Sequence, residues 1–248
     1  MTLGEFFERF IFTRKCMGCG EMLPYELRED AFCPDCRLKW DIAKVEECDA
    51  CGKVMCECTC MTPMLSDAGA LCHHKVVAYS SACPIVHRPI MFIKRNKNPR
   101  VAAFFASQID NSLAADEDLP KLSAEDTVIS FVPRGRKAVL RYGFDQSELI
   151  AKELSRIMGI PCERTVLRRR GGKTQKKLNA KQRLKNVKRL FEPAEDIKDL
   201  VSGRKVILVD DIVTTGASMA ACTSLLIRAR ARAVICVSVA VTPSRKRR

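Results

Sequence analysis

The chain has 248 residues, 47% of them hydrophobic and 29% charged, enough for a sizeable core and too ordered in composition for a low-complexity linker, a collagen-like fibre or a disordered tail. Forty-three Lys and Arg face 29 Asp and Glu, a net charge of +14 that favours anionic partners such as phosphates, nucleic acid or an acidic membrane face. No apolar run approaches membrane-spanning length, and Glu5, Glu8 and Arg9 interrupt the apolar N-terminal stretch, so no signal peptide and no membrane insertion are expected; a reducing cytoplasm is the expected setting for the fourteen cysteines.

Nine of those cysteines fall between Cys16 and Cys60, and this change in composition predicts a small N-terminal module over 1–62 and a second domain over 63–248. Cys16-x-x-Cys19 and Cys33-x-x-Cys36 are two knuckles thirteen residues apart, and Gly18 and Gly20 supply the tight turn of the first. Four thiolates at this spacing suit a tetrahedral Zn²⁺. A second set follows, read as Cys48, Cys51, Cys56 and Cys58 with Cys60 as a spare or substitute, and interleaved pairing stays open. Sulfur fills every ligand position, so the expected zinc is structural, stabilising a module too small to fold on its own core. His73 and His74 stand too far from the cluster to be the expected ligands. Cys72, Cys83, Cys162, Cys222 and Cys236 read as small core residues.

Beyond the module, Val76–Tyr79 predicts a strand and Ile85–Ile93 a helix. Val128–Val132 is an apolar run ending at Pro133, which suits a buried parallel strand. Phe144–Met158 has helical spacing, with Leu149, Ile150, Leu154 and Ile157 on one face and Gly159 as its stop. Val206–Val209 predicts another strand, Ser218–Arg230 a helix and Val234–Val241 a last strand. Strands alternating with helices predict an α/β fold with a parallel sheet.

The run Val206-Ile207-Leu208-Val209-Asp210-Asp211-Ile212-Val213-Thr214-Thr215-Gly216-Ala217-Ser218 carries the most chemistry. An apolar strand ends in two carboxylates at the sheet edge where open α/β folds bind ligands. Hydroxyls from Thr214, Thr215 and Ser218, the close approach permitted by Gly216, and the free N–H groups of a helix start together form a phosphate nest. Two acids beside such a nest suit sugar hydroxyls or a Mg²⁺ ion, so the implied ligand is a phosphorylated sugar.

From Arg168 to Phe191 the sequence holds eleven Lys or Arg and no acid. Gly172-Lys173-Thr174 within it is not a P-loop, because Leu167 stands where that motif needs glycine and no strand leads into it. A solvated basic face, a lid over bound pyrophosphate and a surface for nucleic-acid backbone are the three readings of this stretch.

The 206–218 segment resembles the phosphoribosyl-pyrophosphate (PRPP) motif of type I phosphoribosyltransferases. The paired cysteine module, Val132-Pro133, Arg141-Tyr142-Gly143-Phe144-Asp145-Gln146-Ser147-Glu148-Leu149, and Thr174-Gln175-x-x-Leu178 with Arg183 and Asn186 narrow the resemblance to the ComF family of competence proteins. The resemblance covers the chain from about Cys16 to Val241. It implies a Rossmann-like phosphoribosyltransferase core behind a zinc ribbon. It also implies Asp210 and Asp211 on the ribose hydroxyls in the catalytic role, and Thr214, Thr215, Gly216, Ala217 and Ser218 on the 5-phosphate. The pyrophosphate loop maps to Pro133–Lys137, with Lys137, Arg141 and Lys173 as its expected cations and Mg²⁺ as the ion bound with PRPP. The implied setting is uptake of single-stranded DNA beside a competence helicase and a membrane channel. The family reads Arg-Gly-Phe-Asn-Gln where this chain has Tyr142-Gly143-Phe144-Asp145-Gln146.

Overall fold

A computed structural model describes residues 14–169 and 189–243. Its centre is a four-stranded sheet of β1 (Cys72–Ala78), β2 (Thr127–Phe131), β5 (Lys205–Val213) and β6 (Ala233–Val241), in the order β1-β6-β5-β2 and parallel throughout. Side chains alternate across a strand, and the two faces read out that alternation. Ile207, Val209, Ile235 and Val237 pack into one core, while Val206, Leu208, Val234 and Cys236 pack into the other. Both faces are covered, which is why these strands are continuous apolar runs.

The first face carries α3 (Pro84–Ile93), α4 (Pro99–Ala114) and α6 (Gln146–Met158). Asn98 caps α4, its side chain accepting from Val101 N at 3.1 Å, and Pro99 follows at the first helical position. The second face carries α8 (Ala217–Arg228), which packs on α2 (Pro63–Asp67). α5 (Arg136–Tyr142) follows β2, and α7 (Ile197–Val201) precedes β5. A separate antiparallel ribbon pairs β3 (Val166–Arg168) with β4 (Phe191–Pro193). The predicted strands and helices are all present, each within a few residues of its expected span.

The N-terminal residues share the main core. Trp40, on α1 (Pro34–Lys44), is fully buried. Its ring meets Phe104 edge-on at 5.3 Å, and its Nε1 donates to Gln108 Oε1 at 3.3 Å. Phe32 joins the same aromatic group. Among the described residues, no helix is long and apolar enough to cross a membrane.

Candidate functional site

The sequence predicts that the strand ends before the acid pair, but β5 runs on through Val213. Its neighbour β6 continues beside it, with Ile212 opposite Ala240 and Val213 opposite Val241. The neighbour on the other side, β2, stops at Phe131 opposite Val209. Asp210 and Asp211 are therefore the first residues of β5 past the end of β2, where one side of the strand is open. The pair sits at a step in the sheet.

Consecutive residues leave a strand on opposite sides, and the two carboxylates have different partners. Asp210 is part-buried; its Oδ1 accepts from Ser147 Oγ at 3.0 Å and from Asp211 N at 2.9 Å. Burial, and then repulsion from Asp211, hold the Asp210 carboxyl well above the usual carboxylate range. Asp211 is only 4% exposed, and its Oδ2 lies 3.1 Å from Lys94 Nζ. Neither Ser147 nor Lys94 is among the sequence-predicted site residues. Ser147 lies inside the Arg141–Leu149 motif, so a signal for it was present. Lys94 follows the last residue of a plain apolar helix and carries no local signature.

The turn after β5 has the backbone its glycine predicts. Gly216 has φ +78° and forms the N-cap of α8, the left-handed region that favours glycine. Thr214 and Thr215 are exposed, Ala217 and Ser218 are half-buried, and Ala217 N donates to Thr215 Oγ1 at 3.4 Å. The N-terminal end of a twelve-residue helix and this cluster of hydroxyls lie directly after the acid pair.

The expected pyrophosphate cations are not gathered in the same way. Lys137 and Arg141 are exposed on α5, and Arg141 stacks on the Tyr142 ring at 5.5 Å. Lys173 lies outside the described residues, as does most of the basic stretch. Arg134 turns inward instead. Its guanidinium sits 4.8 Å from the Tyr142 ring centroid, and its Nη2 donates to Lys94 O at 2.7 Å. Asp145, the departure from the family pattern, is a structural cap. Its Oδ1 accepts from Ser147 N at 3.0 Å and its Oδ2 from Arg134 N at 2.6 Å, which ties the loop after β2 to the start of α6.

The cysteines form two groups of four. In each, the sulfurs of Cys16, Cys19, Cys33 and Cys36, and of Cys48, Cys51, Cys58 and Cys60, lie within 4.8 Å of one another. Cys19 Sγ to Cys33 Sγ is 3.9 Å and Cys51 Sγ to Cys58 Sγ is 3.6 Å, close to the edge of about 3.8 Å for four sulfurs tetrahedral about zinc. Backbone N–H groups of Gly18 and Cys33 point at Cys16 Sγ, at 3.4 and 3.2 Å. A Cβ at Gly18 would lie 2.6 Å from Cys36 Sγ, so the knuckle needs glycine there. Both groups could hold a metal such as zinc.

The second group corrects the expected ligand set, with Cys60 taking the place of Cys56. Cys56 lies in the 3₁₀ turn Met55–Glu57, whereas Cys58 is already extended at φ −79°, ψ 126°. In extended chain, residues two apart face the same side, so Cys58 and Cys60 point together. Lys75 Nζ fixes that segment by donating to Cys60 O at 2.6 Å. His73 and His74 are not ligands of either group. Both are buried in β1, where His73 Nε2 meets Ser238 Oγ at 2.9 Å and His74 Nε2 lies 3.2 Å from Asp116 Oδ2. Burial pushes His73 down to about 3, so it stays neutral.

The acid pair thus stands at the carboxyl edge of a parallel sheet and is followed by a glycine-hinged helix start. The model of the phosphoribosyl transferase domain family matches residues 144–248. The DNA utilization protein YhgH of Escherichia coli strain K12 is 30% identical over 152 residues, 61% of this chain and 63% of that protein. Competence protein F of Haemophilus influenzae is 37% identical over 87 residues, 35% of this chain and 38% of that protein. The chain thus spans less than two thirds of the length of these relatives. Among solved structures, the allosteric regulatory enzyme of purine biosynthesis aligns over 60% of this chain and 30% of its own, at 20% identity and a TM-score of 0.39. Over residues 144–248 the chain is similar to the phosphoribosyl transferase domain, and over up to about three fifths of its length it is similar to these DNA-utilization and competence proteins.

Proposed function

We propose that residues 206–218 bind PRPP and that the chain is a phosphoribosyltransferase-like member of the DNA-uptake machinery, acting in the cytoplasm on or beside incoming single-stranded DNA. The observation that carries this reading is the acid pair standing past the end of β2, directly before the left-handed turn at Gly216. Asp210 and Asp211 would orient the ribose hydroxyls. Thr214, Thr215, Ser218 and the N–H groups at the start of α8 would hold the 5-phosphate. Displacement of pyrophosphate from the anomeric carbon passes through an oxocarbenium-like transition state, so positioning and neutralisation of the leaving group do most of the work. Asp210 and Asp211 are oxygen donors that would hold a Mg²⁺ accompanying PRPP, and the ion would supply charge neutralisation. Lys137, Arg141 and Lys173 are proposed to approach the pyrophosphate from the flanking segments. The two cysteine groups are proposed as structural zinc sites, because sulfur fills all four positions of each.

A second reading, binding of DNA phosphates without turnover, is favoured by the eleven cations between Arg168 and Phe191. The helicase and channel proteins of competence are then the proposed neighbours. Two measurements separate the readings. Release of pyrophosphate from PRPP in the presence of nucleobases or single-stranded DNA supports transfer, and its absence across all acceptors leaves the binding role. Charge reversal at Lys176, Lys177 and Arg183 should abolish single-strand binding and flatten its salt dependence, with PRPP binding unchanged. The opposite pattern makes the stretch a lid.

A further inference from the structure

We propose that Lys94 is a ligand-binding cation of this site, holding Asp211 in the free protein and facing the pyrophosphate when PRPP is bound; the proposal rests on the PRPP reading above. Four observations carry it. Asp211 is buried at 4% exposure, and its Oδ2 accepts no hydrogen bond, so the ammonium at 3.1 Å is its counter-charge. The Lys94 side chain is itself 28% exposed, so its charge meets both the carboxylate and solvent. Its carbonyl accepts from Arg134 Nη2 at 2.7 Å, and Arg134 belongs to the loop that follows β2. Lys94 thus stands at the junction of the acid pair and the expected pyrophosphate loop. Finally, Lys137 and Arg141 are exposed on α5, and among the described residues the ion pair to Asp211 comes from Lys94.

The position is rigidly set. Lys94 is the C-cap of α3, whose Ile90 and Ile93 are fully buried. A cation there also complements the negative end of the helix. Arg88, six residues earlier on the same helix, donates from Nη1 to Gly18 O at 2.8 Å, so the first cysteine knuckle braces the helix that carries Lys94.

The test is equilibrium titration, with Mg²⁺ present, of PRPP, pyrophosphate and ribose 5-phosphate on wild type, Lys94→Met and Lys94→Arg, with thermal melts confirming folding. Lys94→Met should weaken PRPP and pyrophosphate by about 10- to 100-fold, as expected for loss of one charge-assisted contact. Ribose 5-phosphate, held by the turn and Asp210, should weaken by at most about threefold, within the effect of an exposed ion pair. Lys94→Arg should restore most of the pyrophosphate affinity. Wild-type affinity for PRPP in Lys94→Met overturns the proposal and leaves the PRPP site standing. Equal loss of ribose 5-phosphate and pyrophosphate also overturns it, since that marks a purely structural lysine. Failure of wild type to bind any of the three removes the PRPP reading and this proposal with it.

Discussion

Gly216 faces Thr62 so closely that a Cβ on the glycine would lie 2.5 Å from Thr62 Oγ1. The end of the cysteine-rich segment therefore packs directly on the proposed phosphate turn. Gly216→Ala meets both this contact and the penalty of φ +78°. It should cost about 1–3 kcal/mol and abolish PRPP binding. Gly159→Ala is the control, because it shares a left-handed φ of +67° with nothing near its Cβ and lies at the far end of α6. It should lose stability in a thermal melt but keep ligand affinity.

Burial beside Asp211 disfavours the charged form of Asp210. Burial and the neighbouring Asp211 raise its pKa, while the unfolded chain titrates near about 3.9. Between those two values the native state binds a proton that the unfolded state does not, so this group makes stability fall as pH rises through the window. Asp210→Asn keeps an acceptor for Ser147 Oγ and Asp211 N and removes the charge. Denaturant unfolding at neutral pH should show a gain in stability, with a flatter pH profile above about pH 4. PRPP affinity should be lost in the same variant.

The two cysteine groups predict two zinc ions per chain. Metal analysis of purified protein should find two in wild type and in Cys56→Ser, and one in Cys60→Ser. Two ions in Cys60→Ser would return the second site to the ligand set expected from the sequence alone. Chelation should also lower PRPP affinity, because Gly18 of the first knuckle anchors Arg88 on the helix that ends at Lys94.

Trp40 lies at the seam between the cysteine-rich segment and the sheet domain, fully buried against Phe104 and Phe105. Trp40→Ala should cost about 3–5 kcal/mol. Because the core is shared, calorimetry should show one unfolding transition for the whole chain. Two separated transitions would mean that the proposed 1–62 module and 63–248 domain are energetically independent.

Local signals in the sequence were strong where one residue type must occupy one backbone state. The apolar strand runs, the stop at Gly159 and the hinge at Gly216 needed only chain chemistry to be read. The Cys-x-x-Cys pairs specified the first metal group. The second group could not be settled that way, since the choice between Cys56 and Cys60 depends on a 3₁₀ turn at Met55–Glu57 that precedes an extended segment. The partners of the acid pair were hidden for a different reason. Ser147 and Lys94 lie 63 and 117 residues from their carboxylates, and only the packing of α6 and α3 on one face of the sheet brings them there. The extension of β5 to Val213 was hidden as well, because two aspartates break the apolar run that marks a strand while β6 continues to pair with it.

Isothermal titration of PRPP with Mg²⁺ on wild type and on Asp210→Ala/Asp211→Ala tests the central claim most directly. The account predicts saturable one-site binding to wild type and a loss of about 100-fold or more in the double variant, as for removal of paired charged contacts. Equal affinity in the two proteins would contradict it.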